Sequence, residues 1–272
     1  MTAKRTAFFI SDRTGITAEI LGKSLLTQFP HINFTKVTLP FIDTLEKARD
    51  AAMQINQAAH VDSARPLVFG TLLNADIRTL IASCNGFFMD LFETYIGAME
   101  AELNVKSSPA LGLSHGIGDH LAYKLRIDAV NFALSHDDGV KTASLGAAEI
   151  ILLGVSRSGK TPTCLYLALQ YGVQAANFPL TPDDFSSMRL PASVQPFRDK
   201  LFGLSISPER LHQIRSERKP NSEYASLKNC QYEVRQAVAL LRQEHIPFID
   251  STAKSIEEIA TTILHETGLA RH

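Results

Sequence analysis

The stretch IILLGVSRSGKTP, residues 150–162, decides how the chain is read. Residues 150–153 are an uninterrupted apolar run, the pattern of a short buried strand. Behind it, Gly154-x-x-x-x-Gly159-Lys160-Thr161 satisfies the phosphate-loop pattern G-x-x-x-x-G-K-[ST]. Each residue type has a physical task. Gly154 and Gly159 let the chain turn tightly with no Cβ in the way of an anion. The backbone N–H groups through Val155, Ser156, Arg157 and Ser158, and the start of the following helix, are expected to point at phosphate oxygens. Lys160 can bridge the terminal phosphates, and Thr161 can ligand a magnesium ion. The pattern arises by chance in a chain of this length about one time in a hundred. Pro162 fits because the first N–H groups of a helix have no intrahelical acceptor.

On both sides of this loop, apolar runs alternate with helical periodicity. Strands are expected at 7–10, 34–39 and 65–72, with helices at 17–28, 45–60, 75–84 and 88–103. After the loop come a helix over 162–170, strands at 173–178, 201–206 and 246–249, and helices beginning at Ser207 and covering 232–244 and 255–267. Strands alternating with helices argue a parallel sheet with crossover helices. The expected fold class is α/β: an N-terminal parallel α/β domain over 1–105, a helical connection over 106–146, and a P-loop kinase-like α/β domain over 147–272. The connection carries SHGIGDH, a helix over 121–134, and SHDDG. No internal sequence repeat stands out. A Pro-punctuated stretch over 181–200 reads as a long connection or docking loop.

The whole chain has 272 residues and a formal charge of −1, so no global field holds nucleic acid or an anionic membrane. The three cysteines form no C-x-x-C pair, which argues free thiols and no zinc site. The apolar run over 7–10 is too short for a signal peptide, and no run approaches the roughly 20 residues of a membrane span. The cytoplasm is the expected compartment.

Phosphoryl transfer needs a carboxylate to hold the metal or take the acceptor proton. The candidates are Asp137 and Asp138 in SHDDG, Asp183 and Asp184 after the second strand of the P-loop domain, and Asp250 at a Walker-B-like strand end. Arg215 and Arg218, three apart on a helix, are candidate lid contacts to phosphate. Ser11, Thr14 and Gly15, in a polar loop after the first strand, form a second candidate anion site. His115 and His120 flank a Gly-rich loop and suit phosphate or substrate contact better than a metal.

The stretches ISDRTGITAE, SHDDG, ILLGVSRSGKTPTCLYLA and FGLSISPERLHQIRSER together closely resemble the bacterial regulatory proteins of phosphoenolpyruvate synthase, a family grouped with those of pyruvate, phosphate dikinase. The resemblance runs the length of the chain in the same order. It implies a bifunctional serine/threonine kinase and phosphorylase. ADP would be the donor that inactivates the target on a threonine near its catalytic histidine. Inorganic phosphate would remove that group as pyrophosphate. The target implied is phosphoenolpyruvate synthase, with the dikinase as the alternative. The nucleotide segment maps onto 154–161; the residues themselves then offer Lys160 and Asp138 as the candidate catalytic pair and Thr161 as a candidate Mg²⁺ ligand. Inorganic phosphate would sit at the loop over 11–15 or at Arg215 and Arg218. A homodimer stays open. The rivals are a P-loop small-molecule kinase and a nucleotide-sensing module without catalysis.

Overall fold

The computed structural model describes residues 4–107, 120–139 and 144–270. The chain divides into two compact units, Met1–Gly116 and Ile117–His272.

The first unit runs β1 (Lys4–Ser11), α1 (Ile16–Leu26), β2 (Asn33–Leu39), α2 (Leu45–Val61), β3 (Leu67–Thr71), α3 (Ala75–Ala82), β4 (Phe87–Asp90) and α4 (Glu93–Leu103). Its sheet is parallel throughout, in the order β2-β1-β3-β4. β1 is buried on both faces, which accounts for its unbroken apolar run. Phe8 and Ile10 pack with Ala48, Ala51 and Ile55 of α2 and with Ile77 and Ile81 of α3. Ala7 and Phe9 join Ala18 and Leu26 of α1 and Phe69 of β3 in a second cluster. Thr44 and Asn74 cap α2 and α3 by accepting from first-turn N–H groups.

The helix expected over 88–103 is a strand followed by a helix. Residues 87–90 pair with β3, Leu67 opposite Phe87 and Gly70 opposite Asp90. A run of three apolar residues, Phe87–Met89, carries no periodicity to separate strand from helix, and the pairing settles it. Asp90 then ends the strand by accepting from the N–H groups of Phe92 and Glu93.

The second unit contains α5 (His120–Ser135), β5 (Ile150–Gly154), α6 (Lys160–Tyr171), β6 (Ala175–Pro179), α7 (Pro182–Ser187), β7 (Leu201–Ser205), α8 (Pro208–Arg218), α9 (Leu227–Gln243), β8 (Phe248–Asp250) and α10 (Ile256–Thr267). Its sheet is also parallel, in the order β6-β5-β7-β8. Ile150 and Leu152 pack with Leu167 of α6, Ile263 of α10, and Ala129 and Ala133 of α5. Ile151 and Leu153 face Leu145, Leu190, Val194 and Leu241. Two parallel α/β units are thus present, as the sequence led us to expect. The stretch over 181–200 is more ordered than a loop, holding α7 and a 3₁₀ turn, Gln195–Lys200.

Both sheets share one strand order, although the sequences show no repeat. In each, the first strand is central and the chain leaves it first to one side, then to the other. The loops after β1 and β5 therefore lie at the strand ends where such sheets bind ligands.

Gly22 tests how closely α1 approaches its sheet. A Cβ there would lie 2.5 Å and 2.8 Å from Phe9 ring atoms and 2.9 Å from Phe69. In an exposed helix, Gly→Ala gains up to about 1 kcal/mol. Here overpacking, typically about 1–3 kcal/mol, outweighs it. Gly22→Ala should lower stability in urea titrations; a stabilised variant would refute the packing described.

Candidate functional site

The loop between β5 and α6 is shaped by backbone requirements that only some residues meet. At Gly154 (φ 158°) a Cβ would lie 2.4 Å from the Leu204 carbonyl oxygen and 2.8 Å from Ser158 Oγ. Gly159, at the N-cap of α6, has φ 94°, in the left-handed region. Arg157 adopts φ 75° despite its side chain, so the loop stores a little strain at its tip.

The loop's carbonyl oxygens are tied down one by one. Lys160 Nζ donates to the Val155 oxygen at 2.9 Å. Arg215 Nη2 donates to the Ser156 oxygen at 3.1 Å, and Ser251 Oγ to the Ser158 oxygen at 3.0 Å. In a trans peptide the C=O and the following N–H point in opposite directions. Holding three carbonyls fixes the aim of the N–H groups of Ser156, Arg157 and Gly159. The Ser158 hydroxyl is buried with no hydrogen-bond partner.

Lys160 is only 4% exposed. Burial pushes its ammonium down to about 8; Asp138, the largest opposing influence, and Asp137 pull the other way, while the Arg215 charge adds to the lowering. Beside it, Thr161 Oγ1 donates to Asp137 Oδ1 at 2.7 Å. Asn177, on β6, is a hub: its Nδ2 lies 2.9 Å from Thr161 Oγ1, donates to Asp138 Oδ1 at 3.3 Å, and donates to Asp137 Oδ1. Asn177 Oδ1 is buried without a partner. A half-turn of the amide exchanges donor for acceptor, so Asn177 can face either a carboxylate or a cation.

His136 holds the two aspartates in place. Its Nδ1 lies 2.9 Å from the Phe132 oxygen, its Nε2 meets Ser144 Oγ, and its carbonyl accepts from Asn177 N–H at 3.0 Å. Its ring stacks on Phe132 with centroids 3.9 Å apart. Asp138 sits at φ 50° with an exposed side chain. Oxygen-only donors of this kind suit a hard divalent cation completed by substrate phosphates and water. Thr161 and Asp137 would hold Mg²⁺, with Asn177 adjacent. Among the described residues, no cluster of three or more His, Cys, Asp or Glu forms a metal site by itself.

The other candidates fall elsewhere. Asp184 belongs to a capping box on α7, accepting from Thr181 N–H at 2.7 Å and Thr181 Oγ1 at 2.8 Å, and Asp183 is exposed in the same turn. Asp250 ends β8, the edge strand beyond β7, and accepts from Thr252 N–H at 2.8 Å. Arg218 is exposed, but Arg215 is fully buried, so the expected solvent-facing lid pair does not exist. The helix face that carries Arg215 is covered by the turn at Tyr224 and by α9, where Glu233 meets the guanidinium at 2.7 Å.

Ser11, Thr14 and Gly15 belong to the first unit. Ser11 Oγ donates to the Thr71 oxygen at 3.4 Å and accepts from Arg13 N–H at 3.1 Å. Gly15 is the N-cap of α1 with φ 79°, and Thr14 is exposed. His115 lies outside the described residues, and His120 opens α5. The sequence reading missed Asn177, Tyr224 and Glu233. Only Asn177 left a signal there, as an amide inside the apolar run of β6.

With this geometry in place, the comparisons are specific. The sequence model of the Kinase/pyrophosphorylase family matches residues 7–264, and the chain belongs to that family. Its relatives include proteins named "Putative phosphoenolpyruvate synthase regulatory protein". The one from Hahella chejuensis is 55% identical over 99% of both chains. Those from Ectopseudomonas mendocina and Pseudomonas aeruginosa are 56% identical over 98% of both chains and 55% identical over 100% of this chain and 99% of the relative. No described helix is long and apolar enough to cross a membrane.

The lowered Lys160 has a stability signature. Between about pH 8 and its ordinary 10.5, the unfolded chain binds a proton that the folded chain has released, so folding gains stability as pH rises through this window. Relative to Lys160→Met, the wild type should gain about 2–3 kcal/mol between pH 7 and pH 10 in urea titrations. Parallel curves for the two proteins would show that Lys160 keeps an ordinary titration.

Proposed function

We propose that the chain is an ADP-dependent protein serine/threonine kinase and phosphate-dependent pyrophosphorylase acting on phosphoenolpyruvate synthase. The observation that supports this most directly is a buried lysine at the head of α6 with two carboxylates, a threonine and an asparagine beside it, in a chain of the kinase/pyrophosphorylase family. The named target of the relatives supplies the partner.

In the forward direction, the loop over 154–161 grips the diphosphate of ADP with the β-phosphate toward Lys160. The exposed Asp138 takes the proton as the target threonine oxygen attacks the β-phosphorus. The P–O bond to AMP breaks, and phosphothreonine and AMP leave. In the return direction, an oxygen of inorganic phosphate attacks the phosphothreonine phosphorus. The bond to the threonine oxygen breaks, Asp138 returns the proton, and pyrophosphate leaves. Thr161 and Asp137 would hold Mg²⁺, which would supply neutralisation of phosphate charge there. Arg215 is engaged within the fold and so does not supply the phosphate seat; the loop over 11–15 is an anion-site candidate of the first unit in its own right. A cytoplasmic location is part of the same proposal.

Mixing the protein with phosphoenolpyruvate synthase and β-labelled ADP should put label on a target threonine, and added phosphate should release it as pyrophosphate. Lys160→Ala should lower the forward rate by about 10²–10³. Asp138→Asn should lower it by about 10²–10⁴. Consumption of ATP with a metabolite alone, or nucleotide binding with no label moved to protein, would refute the assignment. Full activity of Asp138→Asn would remove Asp138 as the proton acceptor.

A further inference from the structure

Arg215 is the largest fully buried side chain of the described residues, and it touches the phosphate loop from beneath. Its Nη2 donates both to Glu233 Oε2 at 2.7 Å and to the Ser156 carbonyl at 3.1 Å. Its Nη1 donates to the Tyr224 carbonyl at 3.1 Å, and the guanidinium lies 4.0 Å from the centroid of the Tyr224 ring. The Tyr224 hydroxyl in turn meets Ser156 Oγ at 2.9 Å. Glu233 is held from its other side, where Oε1 accepts from Asn229 Nδ2 at 2.8 Å. Ser156 is therefore gripped twice, at its carbonyl by Arg215 and at its side chain by Tyr224.

We propose that Arg215 is a positioning residue of the phosphate loop: with Glu233 and Tyr224 it forms a buried brace that fixes the Ser156–Arg157 peptide and so aims the loop's amides at a bound diphosphate. The inference rests on the reading of residues 154–161 as the diphosphate cradle.

Stability alone does not account for the arrangement. A buried ion pair offsets its own desolvation poorly and is often replaceable by apolar residues without loss. Arg215 Nε is also buried without a partner, a further cost to folding. What the guanidinium supplies is a rigid planar fork whose two separated nitrogens reach two carbonyls and a carboxylate, where an ammonium offers a single point on a flexible stem. Because the Ser156 C=O is held toward Arg215, the N–H of Arg157 points away from it. That peptide precedes a residue at φ 75°, a conformation that drifts unless its surroundings hold it.

The test uses the full chain and three variants. Arg215→Met/Glu233→Leu removes the pair together and avoids leaving one charge uncompensated. Tyr224→Phe keeps the ring under the guanidinium and deletes the hydroxyl on Ser156. Lys160→Ala reports on the cradle itself. ADP affinity is measured by titration calorimetry, fold by urea titration, and transfer by steady-state kinetics. The double variant should unfold cooperatively, bind ADP about tenfold or more weakly, and raise KM for ADP with kcat at saturation nearly unchanged. Tyr224→Phe should weaken ADP binding by about three- to fivefold. If the double variant does not fold, Tyr224→Phe decides. Wild-type ADP affinity in the folded brace variants, with weakened binding in Lys160→Ala, would overturn the brace and leave the cradle standing. Wild-type affinity in Lys160→Ala would overturn the cradle, and the brace with it.

Discussion

The site depends on one electrostatic constraint: an ammonium group held almost out of water at the start of a helix, with no carboxylate bonded to it among the described residues. Lys160 donates to the Val155 carbonyl, while the nearest acids stand at a distance and are engaged with Thr161 and Asn177. Burying a charge in this way is unfavourable unless a partner of opposite sign completes the site. Among the described residues the ammonium hydrogen-bonds only to a carbonyl, and Asp137 and Asp138 act on it through space without bonding it. The helix start adds positive potential of its own. Lysine, helix and loop amides thus all favour an anion, and a phosphate satisfies them together.

The surrounding structure keeps that anion site open. β5 is central in its sheet, so its carboxyl end meets loops on both sides. Gly154 passes so close to the Leu204 carbonyl that a larger residue would push the loop outward. Ties at Val155, Ser156 and Ser158 turn carbonyl oxygens away from the space an anion needs. The HDD segment is drawn to the same place by Asn177 and anchored by His136, which brings negative charge beside the lysine without covering it. That separation suits a reaction in which a phosphoryl group passes between donor and acceptor oxygens.

Much of this was legible in the sequence because the phosphate loop is a local device. Its glycines, lysine and threonine act on neighbouring backbone, so spacing alone exposes them. Buried strands such as 7–10 and 150–153 were legible from apolar runs, whereas Phe87–Asp90 was not, because its partner β3 defines it. The carboxylates divided in the same way. The sequence offered three sets and favoured Asp138, and the tertiary neighbourhood of Thr161 sets Asp137 and Asp138 apart from Asp184 and Asp250. Arg215 was misread for the same reason. Helical spacing with Arg218 suggested a surface pair, while the partners that bury it lie 9 and 18 residues further on. Family membership agrees with the local signal, while the choice of ADP over ATP belongs to the proposal, since no spacing distinguishes the two.

The most direct measurement is a crystal structure of the full chain grown with ADP and Mg²⁺. The account predicts the β-phosphate within hydrogen-bonding distance of Lys160 Nζ and of backbone N–H groups between residues 155 and 161, with Lys160 released from the Val155 carbonyl. ADP bound at another place, with the loop empty and Lys160 still on Val155, would contradict it.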